Sequence, residues 1–443
     1  MTPLARGACP GISQPMPTGD GLLARLMPPA PIPLDALIAL CDASETHGNG
    51  IVEVTQRGSL QIRGLSPASA PAFARTVFAL GLGAEGGPPI LASPLMGLDA
   101  LERIDLSALV AALRTELTNR GALASLGPKV SVLIDGGGVL HLDNVPGDLR
   151  LQANTDSRLH IGIAGTAADA TSLGWVEPHQ ALEVIVHVLG SIANRGTAAR
   201  ARDFANCRDA HALRASLAGV LSGEPPPTLR PPAEPIGSHR LHDGRSAFGV
   251  ALAFGYTEAA VLRRFAHAAA RCGAAAIQPA PGRALLTIGL AAAATDEFAD
   301  SAAAAGFVVR PDDARRYVVA CAGAPACRSA LLSTRQVAPA IAQAARPLLD
   351  GSLTIHVSGC AKGCAHPGAA ALTFIGPDRL VVQGRAGDVP HGTASAADFI
   401  AGLPHLHAER QRSNAGRECS AAMVSRLGAM RVLAVMGGET LHD

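Results

Sequence analysis

The chain carries the same pattern of strands and helices twice, and this feature constrains its fold more than any other. Asp20 and Asp243 lie 223 residues apart, and Ile62 and Ile288 lie 226 apart. Two further pairs of β-branched runs recur at offsets of 228 and 223 residues, namely 90–94 with 318–322 and 130–137 with 353–360. Offsets that stay so similar over four blocks indicate an internal duplication.

Within each repeat, alternating β-branched runs predict half-buried strands, and apolar residues at helical spacing predict amphipathic helices. Helices are expected near 33–47, 177–194 and 257–271. Between the repeats, the run Glu224–Pro235 is rich in proline, which excludes a helix and favours an extended, semi-rigid linker. At 443 residues the chain is too long for one ordinary core, so several α/β (α+β) domains are expected.

Four cysteines near the C-terminus form the strongest chemical motif. Cys321 and Cys327 give C-x5-C, and Cys360 and Cys364 give C-x3-C after 32 intervening residues. Four thiolates suit either zinc or an iron–sulfur cluster, but zinc pairs usually span two to four residues. An iron–sulfur cluster is bulkier than a zinc ion, and the Ala and Gly residues between these cysteines let the backbone wrap closely around it. This favours a [4Fe–4S] cluster. The first repeat has Ser93 and Gly136 in place of Cys321 and Cys360, so only the second repeat can hold a cluster.

Charge and composition limit the partners. A net charge of +1 argues against general attraction to nucleic acid or membranes, and the chain contains no apolar run of about 18 residues. Nine scattered or clustered cysteines do not form a secreted disulfide scaffold, so a cytoplasmic protein is expected. No G-x-G-x-x-G motif follows a predicted strand, and a separate electron-donor protein is therefore expected.

These motifs resemble the sulfite/nitrite reductase family, which pairs a [4Fe–4S] cluster with sirohaem. The stretch Thr55–Gln61 is similar to the family's T-x-R-x-x-x-Q motif, with an anion-binding arginine at Arg57. Its basic R-K-x-K stretch survives only as Lys129, followed by Ser131, and a second arginine is missing, since Gly86–Pro89 stand there. The resemblance implies ferredoxin-like elements at 15–80 and 238–300, α/β domains at 85–222 and 305–435, and a linker at 223–237.

The segments 8–10, 15–23 and 357–367 resemble a narrower branch, the precorrin-3B synthases of aerobic cobalamin biosynthesis. This resemblance implies an oxygenase that hydroxylates precorrin-3A at C20 with O2 and forms a γ-lactone from the ring A acetate. It implies a [4Fe–4S] cluster and a mononuclear non-haem iron rather than sirohaem. The alternative is a sirohaem-dependent sulfite or nitrite reductase. A non-catalytic protein that carries an iron–sulfur cluster is a further alternative.

A substrate fringed with carboxylates needs dispersed cations, and arginine binds carboxylates in bidentate fashion. Strand alternation places Arg57 and Arg63 on one face. The predicted substrate clamp comprises Arg57, Gln61, Arg63, Lys129, Arg158 and Lys362. His366, which borders the cluster loop, is the preferred ligand for a mononuclear iron. The other candidates are His141, His160, His356, Asp135 and Asp143, but no two histidines show a tight ligand spacing.

Overall fold

The computed structural model describes residues 10–83, 88–119, 123, 125–412 and 418–440. The sequence features at Ala8, Cys9, Gly86 and Gly87 lie outside these residues. Twenty-one strands form four sheets, and ten α-helices pack on them in this part of the chain. No helix among the described residues has the length and apolar character needed to cross a bilayer.

Two of the sheets are small and fully antiparallel. The first has the order β1 (Met16–Pro17), β2 (Leu22–Leu26), β5 (Leu60–Leu65), β4 (Ile51–Val54) and β13 (Tyr256–Glu258). The second has the order β11 (Gly237–Arg240), β12 (Ser246–Ala251), β15 (Ala284–Leu290), β14 (Ala276–Ala280) and β3 (Ile32–Pro33). Each sheet therefore takes its last strand from the other repeat, with Tyr256 opposite Glu53 and Ile32 opposite Ile277.

The helices of these sheets complete one shared core. They are α1 (Leu34–His47), α2 (Ala70–Ala79), α6 (Ala259–Arg271) and α7 (Thr295–Ala304). Buried residues from both repeats, including Leu37, Phe73, Phe265 and Phe298, belong to a single apolar cluster. The two small elements thus fold around one core.

The other two sheets share one topology over five strands, and the second has a sixth strand at its edge. One has the order β6 (Ile90–Ala92), β7 (Val132–Asp135), β8 (Gly147–Ala153), β9 (Leu159–Gly165) and β10 (Thr171–Val176). The other has the order β16 (Val318–Ala320), β17 (Ile355–Ser358), β18 (Ala370–Ile375), β19 (Arg379–Gly384), β20 (Gly392–Thr393) and β21 (Glu439–Thr440). In both, the first two pairings are parallel and the following ones antiparallel, so the duplication extends to strand direction.

Helices cover these two sheets in corresponding positions and bury two separate apolar cores. The first sheet carries α3 (Ser107–Asn119), α4 (Ala181–Ala193) and α5 (Cys207–Ser216). The second carries α8 (Thr334–Ala345), α9 (Ala396–Arg412) and α10 (Ser420–Met436).

Strand register corrects one expected equivalence between the repeats. Ala92 is opposite Ile134 and Ala320 is opposite Val357, so Ser93 corresponds to Cys321. Counting on from these strands, Gly137 corresponds to Cys360, and not Gly136.

The proline-rich run between the repeats is extended and anchored along its length. It contains no helix or strand from residue 223 to 236. Trp175 Nε1 donates to the carbonyl of Pro225 at 2.9 Å, and Glu234 forms an ion pair with Arg316 at 2.9 Å. The linker is therefore held against the rest of the molecule.

Candidate iron–sulfur and substrate site

The four motif cysteines lie on loops that leave two adjacent parallel strands. Cys321 follows β16 directly, and Cys360 lies two residues beyond β17. Because the carboxyl ends of parallel strands meet at one sheet edge, the two cysteine pairs face the same cavity. The amide of Gly359 donates to the Sγ atom of Cys321 at 3.2 Å, which links the loops directly.

Small residues set the path of these loops. A Cβ atom at Gly359 would meet the Cβ of Ala330 at 2.6 Å and the Sγ of Cys321 at 3.5 Å. Gly363 has φ +60°, a left-handed conformation, and a Cβ there would lie 3.1 Å from Ala386. Hydroxyl groups fix the loop carbonyls, with Thr334 donating to Cys321 at 2.6 Å and Ser358 donating to Cys360 at 2.7 Å.

These cysteines fit a [4Fe–4S] cluster. Burial raises the pKa of the Cys364 thiol, and the nearby Cys360, Cys321 and Cys327 raise it further. Four thiolates that line one cavity repel one another unless iron neutralises them. The amide of Gly359 supplies the type of hydrogen bond to sulfur that tunes such a cluster. The residues that would hold it are Cys321, Cys327, Cys360 and Cys364.

The cavity beside the cysteines is large and strongly cationic. It has a volume of about 560 Å³ and is lined by both repeats. Among the described lining residues, Glu53 is the one carboxylate, whereas seven are cationic: Arg25, Arg57, Arg63, Arg283, Arg328, Arg335 and Lys362. Such a cavity suits a ligand with several negative groups.

The structure brings four of the predicted clamp residues to this cavity: Arg57, Gln61, Arg63 and Lys362. Arg57 lies in the turn between β4 and β5, outside the strand face assigned to it, and donates to the Ser131 hydroxyl at 3.2 Å. Lys362 is exposed and donates to Ser329 at 2.9 Å.

Gln61 and Arg63 are engaged with neighbouring side chains. With its amide oriented to satisfy both groups, Gln61 lies 2.9 Å from Glu53 and 2.9 Å from Arg25. Arg63 is 4% exposed and forms ion pairs with Asp20 at 3.0 Å and Glu53 at 3.5 Å. Although burial opposes its charge, these carboxylates raise the pKa of Arg63. Its guanidinium therefore also supports the cavity wall.

Two predicted clamp residues are not part of this cavity. Lys129 is exposed in the turn before β7 and is not among the described lining residues. Arg158 forms an ion pair with Glu224 at 2.9 Å and lies over the Trp175 ring at 5.6 Å. It fastens the linker to β10. The sequence did not predict this contact of Arg158, because strand position alone does not specify which neighbour a long side chain meets.

The histidine preferred as an iron ligand has one histidine neighbour. The rings of His366 and His356 are 5.6 Å apart, and His366 Nε2 lies 3.2 Å from the carbonyl oxygen of Ala369. Burial, followed by the charges of His366 and Arg283, lowers the pKa of His356 to about 4. Within the described residues no third ligating side chain joins this pair. The pair therefore does not fit the two-histidine, one-carboxylate set that non-haem iron oxygenases use.

Three of the other candidates do converge, in the first repeat. Ligand atoms of Asp135, His141 and Asp143 lie within 4.8 Å of one another. Arg230 of the linker, however, donates to both carboxylates at 2.5 Å. Burial disfavours a charged Asp143, but hydrogen bonds from His141 and Arg230 hold its pKa well below the usual range. A guanidinium thus already pairs with both carboxylates of this group, and these ion pairs fasten the linker.

His160, the remaining candidate, is separate from both groups. It lies on β9, packs edge-on against Trp175 at 5.2 Å, and its Nε2 is 2.8 Å from the Ser172 hydroxyl. Burial, with the charge of Arg150, lowers its pKa to about 4. It is a buried structural histidine.

Sequence reasoning missed four cationic residues of the cavity: Arg25, Arg283, Arg328 and Arg335. Arg335 bonds to Glu53 and lies over the Tyr256 ring at 4.5 Å. Arg328 donates to the carbonyl of Thr18 at 3.0 Å. Arg283 follows the turn after β14, as Arg57 follows β4, so the duplication itself was the signal that could have identified it.

Comparisons with known proteins agree with this arrangement. Residues 14–77 match the nitrite/sulfite reductase ferredoxin-like half domain. The solved structure of the Mycobacterium tuberculosis NirA protein has a TM-score of 0.75 and 19% identity, covering 93% of this chain and 84% of that one. The fold is therefore that of this reductase family.

Among curated proteins, a ferredoxin–nitrite reductase of Synechococcus elongatus is 25% identical over 81% of this chain and 77% of its own length. A precorrin-3B synthase of a Sinorhizobium species is 38% identical, covering 97% of this chain and 94% of its own length. That identity over nearly the whole of both proteins shows that the chain belongs to the precorrin-3B synthase family, a branch of the nitrite/sulfite reductase fold.

Proposed function

We propose that the chain is an oxidoreductase that converts precorrin-3A to precorrin-3B with O2. The reaction would hydroxylate C20 of the macrocycle and close a γ-lactone from the ring A acetate. The observation that carries this proposal is the single cavity in which four cysteines meet seven cationic side chains. A redox centre and a binding surface for a polycarboxylate would then be neighbours.

The cavity favours a broad anion over a small one. Reductases of small oxyanions concentrate several cations on one group. Here Arg63 and Arg335 are committed to Glu53, and Lys129 lies elsewhere on the surface. The other cations of the cavity are spread over both repeats, as the carboxylates of a macrocycle require. Arg57, Gln61, Arg63 and Lys362 are the proposed substrate contacts, of which Arg57 and Lys362 supply charge.

Electron and atom balance requires an outside reductant. One oxygen atom of O2 enters the substrate, and the other leaves as water with two protons and two electrons. When bound at Cys321, Cys327, Cys360 and Cys364, the cluster would transfer those electrons singly from a separate donor protein. The chain's own residues orient the substrate and, through the Gly359 amide, hold the cysteine loops together. A mononuclear iron would need ligands beyond His356 and His366.

The proposal is tested with protein purified without air and given precorrin-3A, a reductant and ¹⁸O2. A brown absorption shoulder that bleaches on reduction, and a product that gains one ¹⁸O atom, are expected. Cys364→Ser should lose both the shoulder and the product. Sharp macrocycle bands in the isolated protein, together with consumption of sulfite or nitrite, would instead establish the reductase activity.

A further inference from the structure

Each repeat has an arginine in the equivalent hairpin turn. Arg57 lies between β4 and β5, and Arg283 lies between β14 and β15. The turns touch, because the amide of Gly282 donates to the carbonyl of Gln56 at 3.0 Å. A Cβ at Gly58 would meet the carbonyl carbon of Ala280 at 2.7 Å, so the approach is close. Both arginines line the cavity beside the cysteines.

Arg283 differs from Arg63 and Arg335, two other arginines of the cavity, in its protein contacts. Within the described residues its guanidinium makes one hydrogen bond, a long one of 3.5 Å to the carbonyl of Ala365, and no ion pair. Burial lowers its pKa despite the distant charge of Glu53. By contrast, Arg63 and Arg335 both reach Glu53. Arg283 is thus a half-buried cation that forms no ion pair with a carboxylate of the described residues.

The backbone also shows that this position holds an arginine at a cost. Arg283 has φ +62°, a left-handed conformation that disfavours residues with a branched or long side chain relative to glycine or asparagine. Its side chain passes Gly255, where a Cβ would lie 2.9 Å from the Arg283 Cδ atom. Both the strained conformation and the missing side chain at Gly255 aim the guanidinium into the cavity.

A half-buried guanidinium is stabilised by an anion that makes bidentate hydrogen bonds to it. We propose that Arg283 forms a carboxylate-binding subsite of the second repeat, paired with Arg57 of the first, and that its ligand is a peripheral carboxylate of the tetrapyrrole substrate. This inference rests on the proposed function for the identity of that ligand. The two arginines would hold the macrocycle across the contact between the repeats and so determine its orientation.

The test measures binding of uroporphyrin, a stable tetrapyrrole with carboxylates around its rim, by quenching of its fluorescence without air. Arg283→Asn is the informative variant, because asparagine tolerates the left-handed conformation and the protein should unfold at an unchanged or higher temperature. We expect its dissociation constant to rise at least tenfold, and that of Arg283→Lys to rise less. Arg310→Gln, which removes an exposed arginine paired with Asp312, is the matched control and should bind as the unaltered protein does.

Two results would overturn the subsite: an unchanged dissociation constant in Arg283→Asn, or no measurable uroporphyrin binding by the unaltered protein. Failure of the proposed function looks different. In that case uroporphyrin binding depends on Arg283, but precorrin-3A is not oxygenated. If Arg283→Asn instead oxygenates precorrin-3A with an unchanged KM, the function stands and the subsite does not.

Discussion

Arg57 and Arg63 line the same cavity but have different neighbours. Arg63 is 4% exposed and lies between Asp20 and Glu53, whereas Arg57 is half-buried in a turn and bonds to the Ser131 hydroxyl. Removing one member of a buried ion pair leaves an uncompensated charge, while removing a cation at a ligand site mainly weakens ligand binding. The two side chains should therefore respond differently to truncation.

We expect Arg63→Ala to lower the free energy of unfolding by about 3 kcal/mol, because Asp20 and Glu53 lose their buried partner. Arg57→Ala should change it by less than about 1 kcal/mol and raise the dissociation constant for uroporphyrin. Urea unfolding and the fluorescence titration measure the two effects. A strongly destabilised Arg57→Ala protein would make Arg57 structural instead.

His160 should make the first α/β domain sensitive to acid. Its pKa is lowered to about 4 in the folded protein, whereas an unfolded histidine has a pKa of about 6.5. The unfolded state therefore binds more protons in that interval, and stability falls as pH decreases from about 6.5 towards 4.

Between pH 7 and pH 5 this difference costs about 2 kcal/mol, which urea unfolding at the two values measures. His160→Gln can keep a hydrogen bond with Ser172 but does not titrate, so its loss of stability over the same interval should be smaller by about that amount. An equal loss in both proteins would assign the sensitivity to other groups.

At this scale the sequence predicts ligand types better than partners. The cysteine spacing predicted that Cys321, Cys327, Cys360 and Cys364 act as one ligand set, and all four line one cavity. The sequence did not predict that Arg158 bonds to Glu224, since that partner lies 66 residues away and no local spacing indicates the contact. Likewise, the Asp135–Asp143 group depends on Arg230 from the linker.

At the scale of elements, the cysteine loops depend on glycine at one left-handed position. Replacing Gly363 by alanine adds a Cβ atom 3.1 Å from Ala386 in a conformation with φ +60°. The left-handed conformation costs alanine about 1–2 kcal/mol. This strained residue would lie directly between Lys362 and Cys364. We expect Gly363→Ala to contain less iron and acid-labile sulfide per chain than the unaltered protein.

Gly190→Ala is the control for added volume at a glycine. Gly190 lies inside α4, and a Cβ atom added there would have no neighbouring atom within 4 Å outside its own helix backbone. Alanine there should raise stability by about 0.5–1 kcal/mol and leave the iron content unchanged. Full iron content in Gly363→Ala would show that the loop tolerates the strain.

Long periodic elements were predictable and short ones were not. The helices expected at 33–47 and 257–271 are Leu34–His47 and Ala259–Arg271. The exchanged strands β3 and β13 are two and three residues long, too short for an alternating pattern. Their pairing across the repeats is a tertiary property, so it could not be deduced from the local sequence.

At the scale of the whole molecule, the shared core predicts that neither repeat folds alone. Residues 1–226 would lack β13, and residues 227–443 would lack β3, and each would expose half of the apolar cluster that joins α1 to α6. We expect either fragment to show no cooperative unfolding, and the two mixed together to recover near-ultraviolet circular dichroism. A cooperative transition in one isolated fragment would contradict this.

The strand exchange also bears on how such a chain can originate. A protein of one repeat would have to close its sheet and core on a second copy of itself, as a twofold symmetric dimer. In that dimer any cysteine would occur at both sites, and a substitution that removed it would remove it from both. In a chain that carries both repeats this constraint is absent, and Cys321 lies in one half while Ser93 occupies the matching position in the other. One set of four cavity cysteines per molecule is thus an asymmetry that a covalently joined pair can carry and a dimer of identical chains cannot.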